Sequence, residues 1–248
     1  MIDTPTKSIF KKELKSYFTS PLGYVFLIIF VFSIGHVTFE AGRGSFFLMR
    51  QADLSSFFRY IPWLFLFLIP AASMRLWSEE RKSKTIELLL TMPLNVRQAV
   101  MGKFLAAWAF VGLALFFTFP MVLTVIYLGS PDLGVIFLGY LGSFLMGGAF
   151  LAVGTFFSAL TKNQVVSFIL SVVFCYLLMM AGSPPILEFL QGFTPNYVLE
   201  LFESLSMLEH FEAVARGVIK LGDLWYFLVM ISGWLVASVF LLEERKAA

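Results

Sequence analysis

The sequence predicts an all-α membrane protein with six transmembrane helices, and three observations lead there. The chain is 59% hydrophobic and 14% charged, with a mean hydropathy of +0.85, whereas a soluble domain carries about 25% charged residues. Its charge-free runs match the requirement that about 20 apolar residues cross a hydrocarbon core of about 30 Å. The lysines and arginines concentrate between those runs, and the weak alternation of a membrane barrel is absent.

Residues 4–19 place Ile9, Phe10, Leu14, Tyr17 and Phe18 on one helical side, and Lys7, Lys11, Lys12 and Lys15 on the rest. That pattern fits a helix lying in the headgroup plane. Pro21 breaks it before a first span at 22–39, and a polar loop at 40–56 follows with Arg43, Arg50 and Asp53. The second span, 57–74, contains Pro62 and Pro70, and the sequence predicts a bent or broken helix there. Arg59 and Arg75 sit near its two ends, where their stems can snorkel.

The stretch 75–103 organises the rest. It holds nine charged side chains between two apolar runs, and each would cost about 2.5 to 3.5 kcal/mol at mid-membrane. It must therefore lie in water or at the membrane surface. Its interior reads as a short amphipathic helix with Ser78 or Ser83 as cap, Glu79 and Glu80 in an early turn, and Pro93 as a stop. Leu88, Leu89 and Leu90 give it a greasy side outside the bilayer, which implies a protein partner.

The third span, 104–128, contains Pro120, and the turn Gly129-Ser130-Pro131-Asp132 joins it to the fourth, 133–160, as a close hairpin. Gly139, Ser143 and Gly147 recur every four residues in the fourth span, a spacing that lets helix backbones approach. They serve packing within one subunit, or line a conduit or subunit interface. A turn at 161–164 leads to the fifth span, 165–182, and the sixth occupies 224–242. Between them, 183–223 is too polar to span and reads as a helical cap: Thr194-Pro195 starts one helix, Ser206 with Glu209 forms a capping box for a second, and Gly217 ends it.

Six spans divide the Lys and Arg residues into thirteen on the face of the termini and the 75–103 stretch, and five on the other. The positive-inside rule makes the first face cytoplasmic and puts the cap outside. A net charge of +2 is too small to suggest nucleic acid. The single Cys175 permits no internal disulfide or thiolate metal site. No short apolar stretch with a cleavage site opens the chain, so the first span is expected to serve as its own insertion signal.

Several functions are disfavoured. Ion-coupled carriers place ionisable groups near mid-membrane; here the main candidate is His36, either a satisfied structural residue or a functional one. No GxxxxGK[ST] loop is present for ATP, and no HExxH, nucleophile elbow or His/Cys cluster occurs. Glu200, Glu203, Glu209 and Glu212 read as a solvated face. No catalytic or metal residue is assigned, so the energy for any transport must come from elsewhere.

The run from Trp77 to Pro93, WSEERKSKTIELLLTMP, followed by Gly102-Lys103-Phe104, resembles the cytoplasmic segment of ABC-2 type transporter permeases. The family pattern is an acidic and basic opening, Gly-Thr-x-Glu, a Leu-rich turn and a proline; Lys84 stands where glycine is commonest. Residues 154–164, 208–212, 215–219 and 223–227 agree as well. Together they resemble the gliding-motility type of permease, with nitrous-oxide-reductase maturation permeases as cousins.

The resemblance implies a bacterial inner-membrane permease domain over residues 1–248, paired with a second, identical or different permease copy and a dimer of cytoplasmic ATPase subunits. ATP and Mg would be bound by those ATPases, and this chain would hold no cofactor. Residues 78–93 resemble the coupling helix that seats in the ATPase, which gives Ser78, Glu79, Glu80, Arg81, Lys82, Thr85, Glu87, Leu88, Leu89, Leu90, Thr91 and Pro93 as its contact residues. Residues 4–19 resemble the elbow helix, with Lys7, Phe10, Lys11, Leu14 and Phe18. The implied function is ATP-driven export or translocation of an unidentified cargo. The alternative is a scaffold that passes ATPase motion to an auxiliary protein outside the membrane and moves no cargo.

Overall fold

The computed structural model describes residues 4–39, 46, 52–85, 95–192, 194–218 and 220–247. Among them 86% are helical and none is in a strand. In chain order the helices are α1 (Thr4–Thr19), α2 (Pro21–Phe39), α3 (Ser55–Ser73), α4 (Ser78–Lys82), α5 (Val96–Phe116), α6 (Phe119–Leu128), α7 (Leu133–Leu160), α8 (Gln164–Met180), α9 (Pro184–Gln191), α10 (Asn196–Leu205), α11 (Met207–Ala215) and α12 (Leu221–Ala247). Among the described residues four helical runs are long and apolar enough to cross a membrane: Ser55–Lys82, Val96–Leu128, Leu133–Leu160 and Leu221–Glu244. The count reaches six if the bent pairs α1–α2 and α8–α9 each form one span.

The 70° bend between α1 and α2 follows from local sequence. Pro21 follows the α1 end, and Gly23 lies so close to Tyr17 that a Cβ there would stand 2.0 Å from the Tyr17 carbonyl oxygen. No other residue fits that approach without moving backbone. α1 then lies against α5, where Gly102 meets Ile9 and Tyr17 stacks on Phe110 with ring centroids 4.6 Å apart.

Of the bend or break expected in the second span, the break does not occur: α3 runs unbroken through Pro62 and Pro70, both buried. The break falls instead at 117–118, between α5 and α6, with Pro120 in the first turn of α6. Thr118 stabilises it: its hydroxyl donates to the Leu115 carbonyl at 2.6 Å and pairs with the Tyr140 hydroxyl at 2.8 Å. Polar side chains that take over freed backbone groups are what a chain break in an apolar setting requires.

α7 is the central helix and packs against α3, α5, α8, α11 and α12. Of its apolar window 61% is buried, against 22% for α12. Gly139 faces the Phe58 ring, where a Cβ would come within 2.4 Å, and Gly147 faces Val111, Phe65 and Ile69. Ser143 is fully buried, and its hydroxyl donates to the Gly139 carbonyl at 2.7 Å. All three small residues thus meet α3 or α5 or their own helix. Asp132 caps α7, accepting from the Gly134 and Val135 amides at 2.8 and 3.3 Å.

Two helix starts differ from the expected spans. α5 begins at Val96, eight positions before 104, because Gln98 reaches back to accept from the Asn95 amide and opens a helix there. The cap between α8 and α12 contains three helices, not two, since Pro184 and Pro185 start α9 as first-turn residues. The capping box expected at Ser206 and Glu209 does not form: the Ser206 hydroxyl turns to the Met179 carbonyl at 3.4 Å. Gly217, at φ +84°, ends α11.

Candidate functional site

α3 ends in a turn at 74–77 that leads into α4, and this short stretch is tied to three other helices. Trp77 and Ser78 are fully buried. Their amides both donate to the Ser158 hydroxyl of α7, at 3.0 and 3.2 Å, and Ser158 donates in turn to the Met74 carbonyl at 2.9 Å. A residue from another helix therefore supplies the acceptor that a local cap would supply. Ser78 is not the cap expected from the sequence, because its own hydroxyl donates back to the Met74 carbonyl. Ser83 closes the other end of α4, with its hydroxyl donating to the Glu79 carbonyl at 2.9 Å.

Arg81 donates through Nη1 to the Ala159 carbonyl at 2.6 Å. That carbonyl lies in the last turn of α7, where acceptors lack helical partners and the dipole favours a cation. α4 is thereby fastened to α7 at both its ends.

The second fastening is Lys103 of α5. Its side chain is 3% exposed, and its ammonium donates to Glu80 at 2.8 Å, the Leu76 carbonyl at 2.9 Å and Glu13 at 3.1 Å. Three donors meet three acceptors, which is the full capacity of an ammonium. The charge also stands 5.0 Å from the centre of the Trp77 ring. α1, α4 and α5 thus share one ion. The node borders a cleft of about 260 Å³ that Arg75 and Glu79 also line.

Other sequence-predicted residues lie as follows. Glu79, Lys82 and Thr85 are exposed on α4 and just after it. Lys84, also exposed, adopts φ +59°, the left-handed region that glycine occupies freely. Glu87, Leu88, Leu89, Leu90, Thr91 and Pro93 lie outside the described residues. On α1, Lys7 and Lys11 are exposed, Phe10 and Leu14 half-buried, and Phe18 meets the edge of Phe110. His36 is exposed and stacks on Phe32. Among the described residues no group of three or more His, Cys, Asp or Glu could hold a metal ion.

Sequence reasoning missed Glu13, Trp77, Ser158 and the role of Lys103. Two signals were present. Glu13 is the one acid among the four lysines of 4–19, and Lys103 falls on the apolar side of α5 between Val100 and Phe104.

The cap carries a smaller polar cluster. His210 Nδ1 lies 2.7 Å from Asp223 and Nε2 lies 3.2 Å from the Ser204 carbonyl, with Tyr226 stacked on the ring. Burial, helped by repulsion from Glu203 and Glu212, holds the Glu209 carboxyl above the usual range, and His210 opposes that shift.

The model of the ABC-2 family transporter proteins matches residues 7–243. The chain belongs to that family. It is therefore a multi-pass membrane protein and the membrane component of an ABC transporter, a kind of subunit that works with an ATPase and is not itself one. A comparison with curated proteins finds no match.

Proposed function

We propose that this chain is the permease of an ATP-driven transporter of the gliding-motility type, in which two permease copies and two ATPase subunits assemble on the cytoplasmic face. Residues 78–93 are the coupling helix and 4–19 the elbow helix. The Lys103 node carries the reading. A push on α4 cannot be absorbed locally, because Glu80 and Arg81 link it to α1, α5 and α7, and packed interiors transmit displacement instead of yielding to it. The exposed Glu79, Lys82 and Thr85 are left to meet the ATPase.

The cargo in this reading is apolar or amphipathic, since the spans offer few polar groups for a hydrophilic path. A second reading, transmission of force to an auxiliary protein outside the membrane, is favoured by α9 and α10. They bury no residue and expose Phe189, Tyr197 and Leu201.

The test is reconstitution with the partner ATPase in liposomes. Glu79→Lys with Lys82→Glu inverts charges on the exposed side of α4 without touching Lys103. Loss of most permease-stimulated ATP hydrolysis, with normal membrane insertion, is expected; unchanged stimulation would remove α4 from the contact. Movement of lipid or solute by the unaltered complex separates cargo translocation from force transmission.

A further inference from the structure

A second cleft lies at the opposite end of the molecule, between the start of α3 and α11, with a volume of about 350 Å³. That is within the range of small-molecule sites. Phe58 and Phe211, 3% and 1% exposed, and Pro62 give it an apolar floor. Arg59 and Arg216 stand on its walls with Glu212. Arg59 is exposed, and no hydrogen bond or ion pair to it is formed by the described residues.

Arg216 is half-committed. Its Nη2 donates to Glu212 at 2.7 Å and its Nε to the Glu212 carbonyl at 3.2 Å, and the rest of its five donors meet no acceptor among the described residues. The two arginines outnumber the single carboxylate. The cleft also lies at one end of a candidate span: Ser55, which lines it, is the first residue of Ser55–Lys82. The end of a span adjoins the headgroup layer of a bilayer.

We propose that this cleft binds an anionic phospholipid, with its phosphate between Arg59 and Arg216 and the start of its acyl chain on Phe58, Pro62 and Phe211. Guanidinium forks pair with phosphate oxygens in bidentate fashion, and an apolar floor beside them selects an ester that carries a chain. Glu212 is a built-in competitor: it holds part of Arg216 and repels a second anion. The site needs nothing from the coupling reading, since binding requires neither ATPase nor ATP.

The experiment uses the full chain in phosphatidylcholine nanodiscs containing a trace of photo-crosslinking phosphatidate, with labelled peptides mapped by mass spectrometry. Labelling is expected on α3 and α11. Arg59→Gln with Arg216→Gln should lower it by about tenfold, and the paired Lys replacements should restore part of it. Glu212→Gln should raise labelling by about threefold, an increase that misfolding cannot produce. Equal labelling by photo-crosslinking phosphatidylcholine, indifference to the double Gln variant, or no rise with Glu212→Gln would each overturn the proposal. Full displacement by glycerol 3-phosphate would overturn the lipid source in favour of a soluble phosphate ester.

Discussion

The two ends of the molecule use the same kinds of side chain to opposite effect. At the α4 end, Lys103 is 3% exposed and its partners Glu13 and Glu80 are 20% and 21% exposed. At the cap end, Arg216 and Glu212 pair at 2.7 Å with 72% and 51% exposure. Solvent screens the second pair, and such bridges contribute about 0 to 1 kcal/mol. The first is worth far more to keep intact, because removing one partner strands buried charge at a cost of about 3 to 5 kcal/mol. Distance alone does not rank ion pairs; burial does.

The largest expected effect breaks that contrast directly. Lys103→Met leaves Glu13 and Glu80 without the ammonium that joins them, and should cost about 3 kcal/mol, read as a clear fall in thermal unfolding temperature in detergent. Arg216→Ala in the same assay should shift stability by less than about 0.5 kcal/mol. Similar losses in the two variants would erase the difference between the ends.

Ser158→Ala comes next. It removes the shared acceptor of two buried amides and the donor to Met74, costing about 1 to 3 kcal/mol. Hydrogen exchange should rise at Trp77 and Ser78 ahead of the α7 core; exchange unchanged at those two amides would show that α4 is held by other means.

Lys84→Gly sharpens the comparison from the other direction. It removes a left-handed conformation that costs an L-residue about 1 kcal/mol, and should raise stability by that order, offset in part by the freedom glycine gains when unfolded. A loss of stability would place the cost of Lys84 elsewhere.

The smallest effect concerns Glu209. Its carboxyl is held above the usual range chiefly by burial, so its contribution to stability is greatest at low pH, where it is protonated, and is lost as pH rises through its folded value. Glu209→Gln should therefore slow local opening of α11 at neutral pH and make little difference below the ordinary carboxylate value of 4.5. A pH-independent gain would assign the effect to packing against Gly182 instead.

The sequence made the fold class legible because hydrophobic length and charge position are one-dimensional quantities. α7 could be read from its flanking turns, and the concentration of charge at 75–103 could be counted. Local geometry was harder. Three prolines lay inside predicted spans, yet only the run holding Pro120 broke, and there the Thr118 hydroxyl bonds the Leu115 carbonyl and the Tyr140 hydroxyl. Ser206 and Glu209 had the spacing of a capping box, but a carbonyl 27 residues away won the serine.

By itself the sequence determined that this chain is a bundle of apolar helices with a charged stretch outside the hydrocarbon. That follows because the solvation cost of charge applies whatever the fold. Only the tertiary structure decided which charges became a joint. Lys103 meets Glu80 across 23 residues and Glu13 across 90, pairings that no periodicity records and that exist only once α1 and α5 are packed side by side.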